Sequence, residues 1–218
     1  MIIPRAAAAL SILVLVACQT SQVVMNKPLP RNAAGAPVYK PGYSLIGLLH
    51  EPKGEIFLAL AFSGGGKRSA AFAHGALRGL RAIPVTENGR TRPLLDDVTY
   101  IASVSGGSFP AMHYGLYRDK SFETFTHDFL KRDINAFIWG IYLLPWNWEW
   151  LVNPYFGTND AMAEVYDRLM FHGATYADLM KLGLPMISVN ATDIAGGIAF
   201  PFNQASFDLL CSDLLIVL

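Results

Sequence analysis

Two junctions between a predicted strand and a predicted helix, about forty residues apart, constrain the fold of this chain more than any other feature. At the first junction, residues 56–62 form a continuous apolar run of strand length, and Gly64-Gly65-Gly66 follows it. Such a run predicts a central strand that is buried on both faces. The small residues along 67–82 then predict a helix that packs close to a sheet.

The second junction repeats the arrangement around Ser105. Residues 98–103 predict a second strand, and residues 107–117 predict a second helix with Pro110 in its first turn, where proline is tolerated. The stretch between the two junctions, residues 84–97, is rich in Pro, Asn, Gly and Asp and predicts a loop. Further along the chain, the pattern predicts a helix over 159–171, a strand over 185–192 and a fourth strand over 198–202. This alternation predicts an α/β layered domain.

Composition limits the domain count and the class of partner. The chain has 218 residues, of which 52% are hydrophobic and 16% charged, so one domain with a sizeable core is expected. The 17 basic and 17 acidic residues are mixed along the chain without a long block of one sign. We therefore expect no nucleic-acid partner.

The N-terminus has the pattern of an export signal. A short basic start is followed by an apolar stretch over 6–17, which is too short to span a bilayer and ends in Leu15-Val16-Ala17-Cys18. Residues 1–17 therefore predict a lipoprotein signal peptide, with Cys18 as the lipid attachment site. An ordinary secretory signal followed by an accidental cysteine is the alternative. Gln19 after the cysteine resembles the sorting pattern for the outer membrane of the bacterial cell envelope.

Residues 18–54 predict a tether between the lipid and the folded domain. Five prolines between 28 and 52 interrupt any helical or alternating pattern, so order is expected to begin at Glu55. The only other cysteine is Cys211, for which we expect the role of a small buried hydrophobe. No intramolecular disulfide is expected.

The glycine run predicts an oxyanion hole. Three glycines between a strand and a helix let the backbone bend sharply, and the amide groups at a helix start favour negative charge. The candidate residues are Gly64, Gly65, Gly66, Lys67 and Arg68. Arg68 is expected to orient the glycine loop or to meet a phosphate headgroup. A nucleotide phosphate loop is the rival interpretation, but Arg68 stands where that motif needs Ser or Thr, and Ser69 stands where the dinucleotide motif needs its last glycine.

Ser105 has the neighbours of a nucleophile elbow. In this turn a strand enters, a helix leaves, and small residues two positions before and after the serine let strand and helix approach. Here those residues are Ser103 and Gly107. An isolated match of this kind is typical of a polar turn, but the glycine run at the preceding junction makes the pair specific. The sequence predicts a serine acyl hydrolase with Ser105 as nucleophile.

These segments resemble the patatin-like phospholipases. The resemblance is carried by Gly-Gly-Gly-Lys-Arg at 64–68, Ser-Val-Ser-Gly-Gly-Ser at 103–108 and Asn-Ala-Thr-Asp at 190–193. The first two segments also resemble the cytosolic phospholipase A2 group. The resemblance implies a three-layer α/β/α domain over 55–218, a Ser–Asp catalytic dyad without histidine, and acyl-lipid esters as substrates.

One departure from the family pattern concerns the catalytic base. The family carries its aspartate in an Asp-Gly-Gly or Asp-Gly-Ala triplet, and this chain has no Asp-Gly pair. Asp193, Asp208 and Asp213 are followed by other residues. We therefore expect that the catalytic aspartate is not in this chain, that the domain is partial through truncation or a frameshift, and that activity is low. A non-catalytic, envelope-anchored lipid-binding or assembly module is the alternative function.

No other constellation of residues predicts catalysis. His172, the one histidine far downstream, fits a helix end beside Gly173 better than the role of a catalytic base. His74 and His113 are expected to be packed or partly exposed. No metal-binding motif is present, so we expect neither a metal nor a cofactor. The tryptophan-rich stretch 139–150 predicts either core packing or a lipid-facing cap. The expected partners are a membrane surface and a lipid ester, and the oligomeric state is left open.

Overall fold

The computed structural model describes residues 27–39, 42–49, 56–143 and 157–216. Within these ranges the chain contains six strands: β1 Leu58–Phe62, β2 Pro84–Glu87, β3 Arg90–Pro93, β4 Val98–Val104, β5 Met186–Asp193 and β6 Ile198–Pro201. The helices are α1 Leu45–Leu48, α2 Gly66–Ala82, α3 Ser108–Tyr117, α4 Ser121–Phe125, α5 Ile134–Leu143, α6 Thr158–Tyr166, α7 Tyr176–Leu182 and α8 Gln204–Leu209. Short 3₁₀ turns lie at Leu94–Asp97, Ser105–Gly107, Arg118–Lys120 and Leu214–Ile216, and π-helical turns at Thr126–Leu130 and Asp167–Phe171.

The chain divides into two compact units. The unit that carries both junctions consists of Asn26–Arg132 and Leu169–Leu218, and the other includes Asp133–Arg168. In the smaller unit α5 and α6 pack against each other, and Ala161 and Val165 are buried. The helix predicted over 159–171 is α-helical only through Tyr166 and continues as a π-helical turn.

The larger unit contains an open, mostly parallel sheet. Its strand order is β1-β4-β5-β6, with β1, β4 and β5 parallel and β6 antiparallel to β5. The predicted α/β class is confirmed. The core of this unit joins residues of the strands to residues of the helices, among them Leu77, Ile101, Ala111, Tyr114, Tyr176, Leu179, Ile187 and Phe207.

β1 differs from the prediction of a strand buried on both faces. Among the described strands only β4 pairs with it, Ala59 and Ala61 are exposed, and only Phe62 is buried. An apolar run does not specify where a strand lies in its sheet, and the two exposed residues of this one, Ala59 and Ala61, have small side chains with little surface to bury. The strand with the burial expected of a central strand is β4, in which Val98, Ile101 and Ser103 are buried.

The loop predicted over 84–97 is instead a β-hairpin followed by a 3₁₀ turn. β2 and β3 pair antiparallel, and Asn88 and Gly89 connect them with φ angles of +50° and +76°. Two residues with positive φ form the tight turn that Asn-Gly favours between strands. Arg92 holds the hairpin by ion pairs to Glu87 and to Asp97.

The described residues before Glu55 are ordered, in contrast to the expected tether. Tyr43 is fully buried, and the Ile187 N–H donates a 2.6 Å hydrogen bond to its Oη. Burial raises the pKa of Tyr43 to about 12. Pro28 forms an isolated β-bridge with Ser212, and Ser44 caps the short helix α1. Local composition predicts low helical and strand content here, but it does not reveal that a single tyrosine docks into the core.

The expectation that Cys211 is a buried hydrophobe is wrong. Cys211 is exposed, with a φ of +51°, immediately after α8 and beside the exposed Leu209 and Leu210. Cys211 is exposed because of its position in the turn that ends α8, and the polarity of its side chain does not predict this. Of the tryptophan-rich stretch, Trp139 lies in α5 and is exposed, and the other three tryptophans lie outside the described residues, as does Cys18. No helix in the described ranges has the length and apolar character needed to cross a membrane.

Candidate active site

The register of the sheet places both sequence junctions at one edge. Phe62, the last residue of β1, pairs with Ser103, and Val104, the last residue of β4, pairs with Asn190 of β5. Because these strands are parallel, their carboxyl ends meet at the same edge. Ser63 and Ser105, the next residues along the chain, therefore start their turns side by side. Ligand sites of open α/β sheets commonly lie outside this edge.

Ser105 adopts a strained backbone conformation at the turn. Its φ is +49°, in the left-handed region, and it is exposed at the start of the 3₁₀ turn that leads into α3. A non-glycine residue in this region costs on the order of 1–3 kcal/mol and persists only where its surroundings hold it there. A sharp turn from strand to helix with an exposed serine is the geometry of a nucleophile elbow.

The elbow and the glycine loop are in van der Waals contact. A Cβ placed on Gly64 would lie 3.3 Å from Ser105 Cβ and 3.9 Å from Ser105 Oγ. A Cβ on Gly106 would lie 2.2 Å from the Gly66 carbonyl oxygen, and one on Gly107 would lie 2.7 Å from the Ser63 carbonyl oxygen. Only a residue without a side chain fits at Gly106 and at Gly107, and a Cβ at Gly64 would require its neighbours to shift by a few tenths of an ångström. The two turns therefore build one site.

The glycine loop ends as the N-terminus of α2. Gly65 and Gly66 have φ angles of +137° and +62°, so the bend depends on glycine at both positions. The Ser69 hydroxyl donates to the Gly66 carbonyl oxygen at 3.0 Å and fixes the first turn. The first amide groups of a helix have no acceptor within the helix and carry its positive dipole end, so they favour an anion.

Two cations follow the glycines in the first turn of α2. Lys67 Nζ donates to the backbone carbonyl oxygen of Arg132 and lies 5.9 Å from the centre of the Phe129 ring. Arg68 is exposed and lines a cavity of about 530 Å³ beside β1, which Gly64, Gly65 and the exposed Phe72 also line. The first turn contains no acidic residue. Cations at a helix N-terminus lower the stability of the helix, because they repel its positive dipole end. A negatively charged ligand bound at this turn would offset that repulsion.

Beneath the serine, β4 and β5 are fastened by side chains. The buried Ser103 hydroxyl donates to the Ser188 carbonyl oxygen at 3.2 Å. Asn190 Nδ2 donates to the Ser103 carbonyl oxygen at 3.1 Å and to that of Ser188 at 3.2 Å. The sequence alone assigned no role to Asn190, although the Asn-Ala-Thr-Asp segment that begins with this residue was part of the family resemblance. Asn190 holds the end of β4 in place directly before the elbow.

No carboxylate or imidazole of the described residues is hydrogen-bonded to Ser105. Asp193 accepts hydrogen bonds from the backbone N–H groups of Ala195 and Gly196 and so caps its own turn. Asp208 accepts from Gln204 Nε2. Asp213 accepts from the Leu215 N–H. The three aspartates that the sequence offers late in the chain are thus engaged in local turns and helices.

The histidines of the described residues are likewise engaged away from the elbow. His113 is buried, its Nδ1 lies 2.8 Å from Ser121 Oγ, and burial lowers its pKa to about 4. His74 is buried against the Phe125 ring, and burial and the charge of Arg78 lower its pKa. His172 has a φ of +55° at the end of a π-helical turn, and Gly173 follows it, also with positive φ.

Within the described residues no group of three or more His, Cys, Asp or Glu side chains could hold a metal ion. From the described residues, the arrangement therefore brings an exposed serine hydroxyl next to the N-terminus of a helix. No protein-family model, no curated protein and no solved structure matches this chain.

Proposed function

We propose that this protein is a serine acyl hydrolase of the patatin-like type, which acts on the carboxylic esters of lipids. The observation that carries the proposal is the contact between the two turns, in which the Cβ position of Gly64 lies 3.9 Å from Ser105 Oγ. A hydroxyl held in a strained turn beside free helix-start amides is the pair of groups that acyl transfer needs.

In the proposed reaction Ser105 Oγ attacks the ester carbonyl carbon and forms a tetrahedral intermediate. The amide groups of Gly65 and Gly66 donate to the oxyanion, and the positive end of α2 stabilises its charge. One such donor is typically worth about 3 to 4 kcal/mol in the transition state. A base takes the serine proton and gives it to the leaving alcohol as the ester C–O bond breaks, and a water molecule then hydrolyses the acyl-serine and restores the hydroxyl. By the family resemblance that base is an aspartate, and Asp193, Asp208 and Asp213 are each engaged in local hydrogen bonds.

The cavity beside the glycine loop favours an apolar acyl group. Leu60, Phe72, Ala73 and Ala76 line it together with Arg68. A lipid ester would place its acyl chain along these apolar side chains and its charged part near Arg68. With a lipid anchor on Cys18, which stays a prediction, the substrate would be met at the membrane of the cell envelope.

Hydrolysis of p-nitrophenyl butyrate tests the proposal. We expect a low but measurable turnover that falls to the rate of the buffer in Ser105→Ala and remains in the matched variant Ser108→Ala, which changes the first residue of α3. We expect this turnover to be low, because no carboxylate or imidazole of the described residues is hydrogen-bonded to Ser105 to take its proton. Turnover that is the same in Ser105→Ala and in the parent chain would contradict the proposal.

A non-catalytic, envelope-anchored lipid-binding module is the second candidate. One observation favours it, since no described carboxylate or imidazole is hydrogen-bonded to Ser105. Titration with a fluorescent fatty acid separates the two functions. Binding by both the parent chain and Ser105→Ala, together with no turnover in either, supports the module.

A further inference from the structure

Two basic segments meet beside the site, with Lys67, Arg68 and Lys131 exposed and Arg132 half-buried. Lys67 and Arg68 lie in the first turn of α2, and Lys131 and Arg132 follow the π-helical turn Thr126–Leu130. The hydrogen bond from Lys67 Nζ to the Arg132 carbonyl oxygen joins the two segments in space, although 65 positions separate them in sequence. We call these four residues the basic rim.

The basic rim has more cations than neighbouring carboxylates. None of its four side chains forms an ion pair with a carboxylate of the described residues. The acidic side chains next to it in sequence are Asp128, which pairs with His127, and Asp133, which accepts from the Ala136 N–H, and a hydrogen bond does not remove the charge of a carboxylate. In a chain with 17 basic and 17 acidic residues, four cations beside two carboxylates are a local excess of positive charge.

An exposed apolar side chain lies next to the basic rim. Phe72 is 81% exposed, and it follows Arg68 by four residues, so both lie on one face of α2. Both also line the cavity beside the glycine loop. A cationic surface with a protruding aromatic ring fits an interface that is anionic in its outer layer and apolar beneath it.

We propose that the basic rim and Phe72 form a docking surface for an anionic lipid bilayer. The cations would contact the lipid phosphates, the Phe72 ring would enter the acyl region, and the opening beside Ser105 would face the membrane. Charge complementarity selects this partner, since each Lys or Arg near an anionic membrane surface typically contributes about 1 kcal/mol. The inference goes beyond the proposed function because it concerns binding alone and holds with or without hydrolysis.

Vesicle flotation of the full chain tests the surface. All proteins carry Cys18→Ser, so that no lipid anchor can form. We expect binding to phosphatidylglycerol vesicles and little binding to phosphatidylcholine vesicles. Lys131→Gln/Arg132→Gln removes two rim charges without touching the elbow or the glycine loop. It should lower the partition coefficient roughly 30-fold in low salt, and much less in 0.5 M salt.

Two further variants complete the design. The helix α2 is about 25 Å long and so separates its two ends by that distance. Arg90→Gln/Lys120→Gln removes two exposed cations at the end of α2 that is far from the basic rim, and it should leave binding unchanged. Phe72→Ser should weaken binding at both salt concentrations, because the contribution of the ring is apolar.

Three results would overturn the proposal. Equal binding to the two kinds of vesicle would remove the charge preference, and an equal loss in the Arg90/Lys120 variant would show that net charge alone decides binding. Binding of a 20-residue thymidine oligonucleotide as tight as binding of the anionic vesicles would show a general polyanion surface. None of these readouts depends on turnover, so the surface can fail while the proposed hydrolysis holds, and the reverse.

Discussion

At the scale of single residues, the site depends on the space around Gly106. The Cβ position of Gly106 lies 2.2 Å from the Gly66 carbonyl oxygen and 2.7 Å from Ser69 Oγ, closer than atoms can pack. Gly106→Ala must therefore push the elbow away from the glycine loop. We expect it to lower the free energy of unfolding by about 1–3 kcal/mol, measured by urea denaturation.

Gly79 offers a matched control on the helix that starts at the glycine loop. It lies inside α2, is exposed, and has no atom within 4 Å of its Cβ position. Gly79→Ala should raise the free energy of unfolding by roughly 0.5–1 kcal/mol, because alanine favours a helix interior. A Gly106→Ala chain as stable as the parent would contradict the close approach of the two turns.

The buried imidazole of His113 predicts how stability depends on pH. Burial lowers the pKa of His113 to about 4, against an opposing effect of Asp128. The unfolded chain binds a proton at this residue below pH 6.5, and the folded chain does not until about pH 4. This contribution to stability is therefore complete above pH 6.5 and is lost as the pH falls toward 4. The loss is on the order of 3 kcal/mol.

His113→Asn removes this titration. The variant is expected to be less stable at pH 7, because the ring fills a buried space beside Phe125. Its free energy of unfolding should nevertheless fall less steeply between pH 6.5 and 4 than that of the parent. His127→Asn, which changes an exposed histidine, should keep the slope of the parent. Parallel slopes in the parent and in His113→Asn would contradict the assignment.

At the scale of elements, the segment before β1 belongs to the fold through Tyr43. Its Oη is the acceptor for the buried N–H of Ile187 in β5. Tyr43→Phe leaves this N–H without a partner and keeps the ring, so we expect a loss of about 1–3 kcal/mol in urea denaturation. Tyr39→Phe changes an exposed ring and should stay within about 0.5 kcal/mol of the parent. Equal stability of the Tyr43 and Tyr39 variants would show that the segment is not docked.

The same scale shows what a local pattern can predict. The strands β4 and β5 and the helix α2 were predictable, because apolar runs and small-residue spacing depend on a few consecutive residues. The hairpin after α2 was missed although Asn88-Gly89 is a direct turn signal. The position of β1 at the edge of the described strands and the docking of Tyr43 depend on residues far away in sequence, so no local pattern reveals them.

At the scale of the whole molecule, the candidate site follows from parallel strand order. Because β1 and β4 are parallel neighbours, two junctions that are separated in sequence come together at one edge of the sheet. The sequence predicted the residues of both turns, since a glycine run and a serine flanked by small residues occur in order at two successive strand-to-helix junctions. It could not predict Asn190 beneath the elbow or the contact of Lys67 with Arg132, because both depend on the tertiary arrangement.

The central claim is that Ser105 is a nucleophile beside an oxyanion hole, and covalent labelling tests it most directly. The full chain is treated with a fluorophosphonate, digested and mapped by mass spectrometry. We predict one phosphonylated peptide, with the adduct on Ser105, that is absent from Ser105→Ala and present in Ser108→Ala. An unlabelled chain, or an adduct on another serine that persists in Ser105→Ala, would contradict the account.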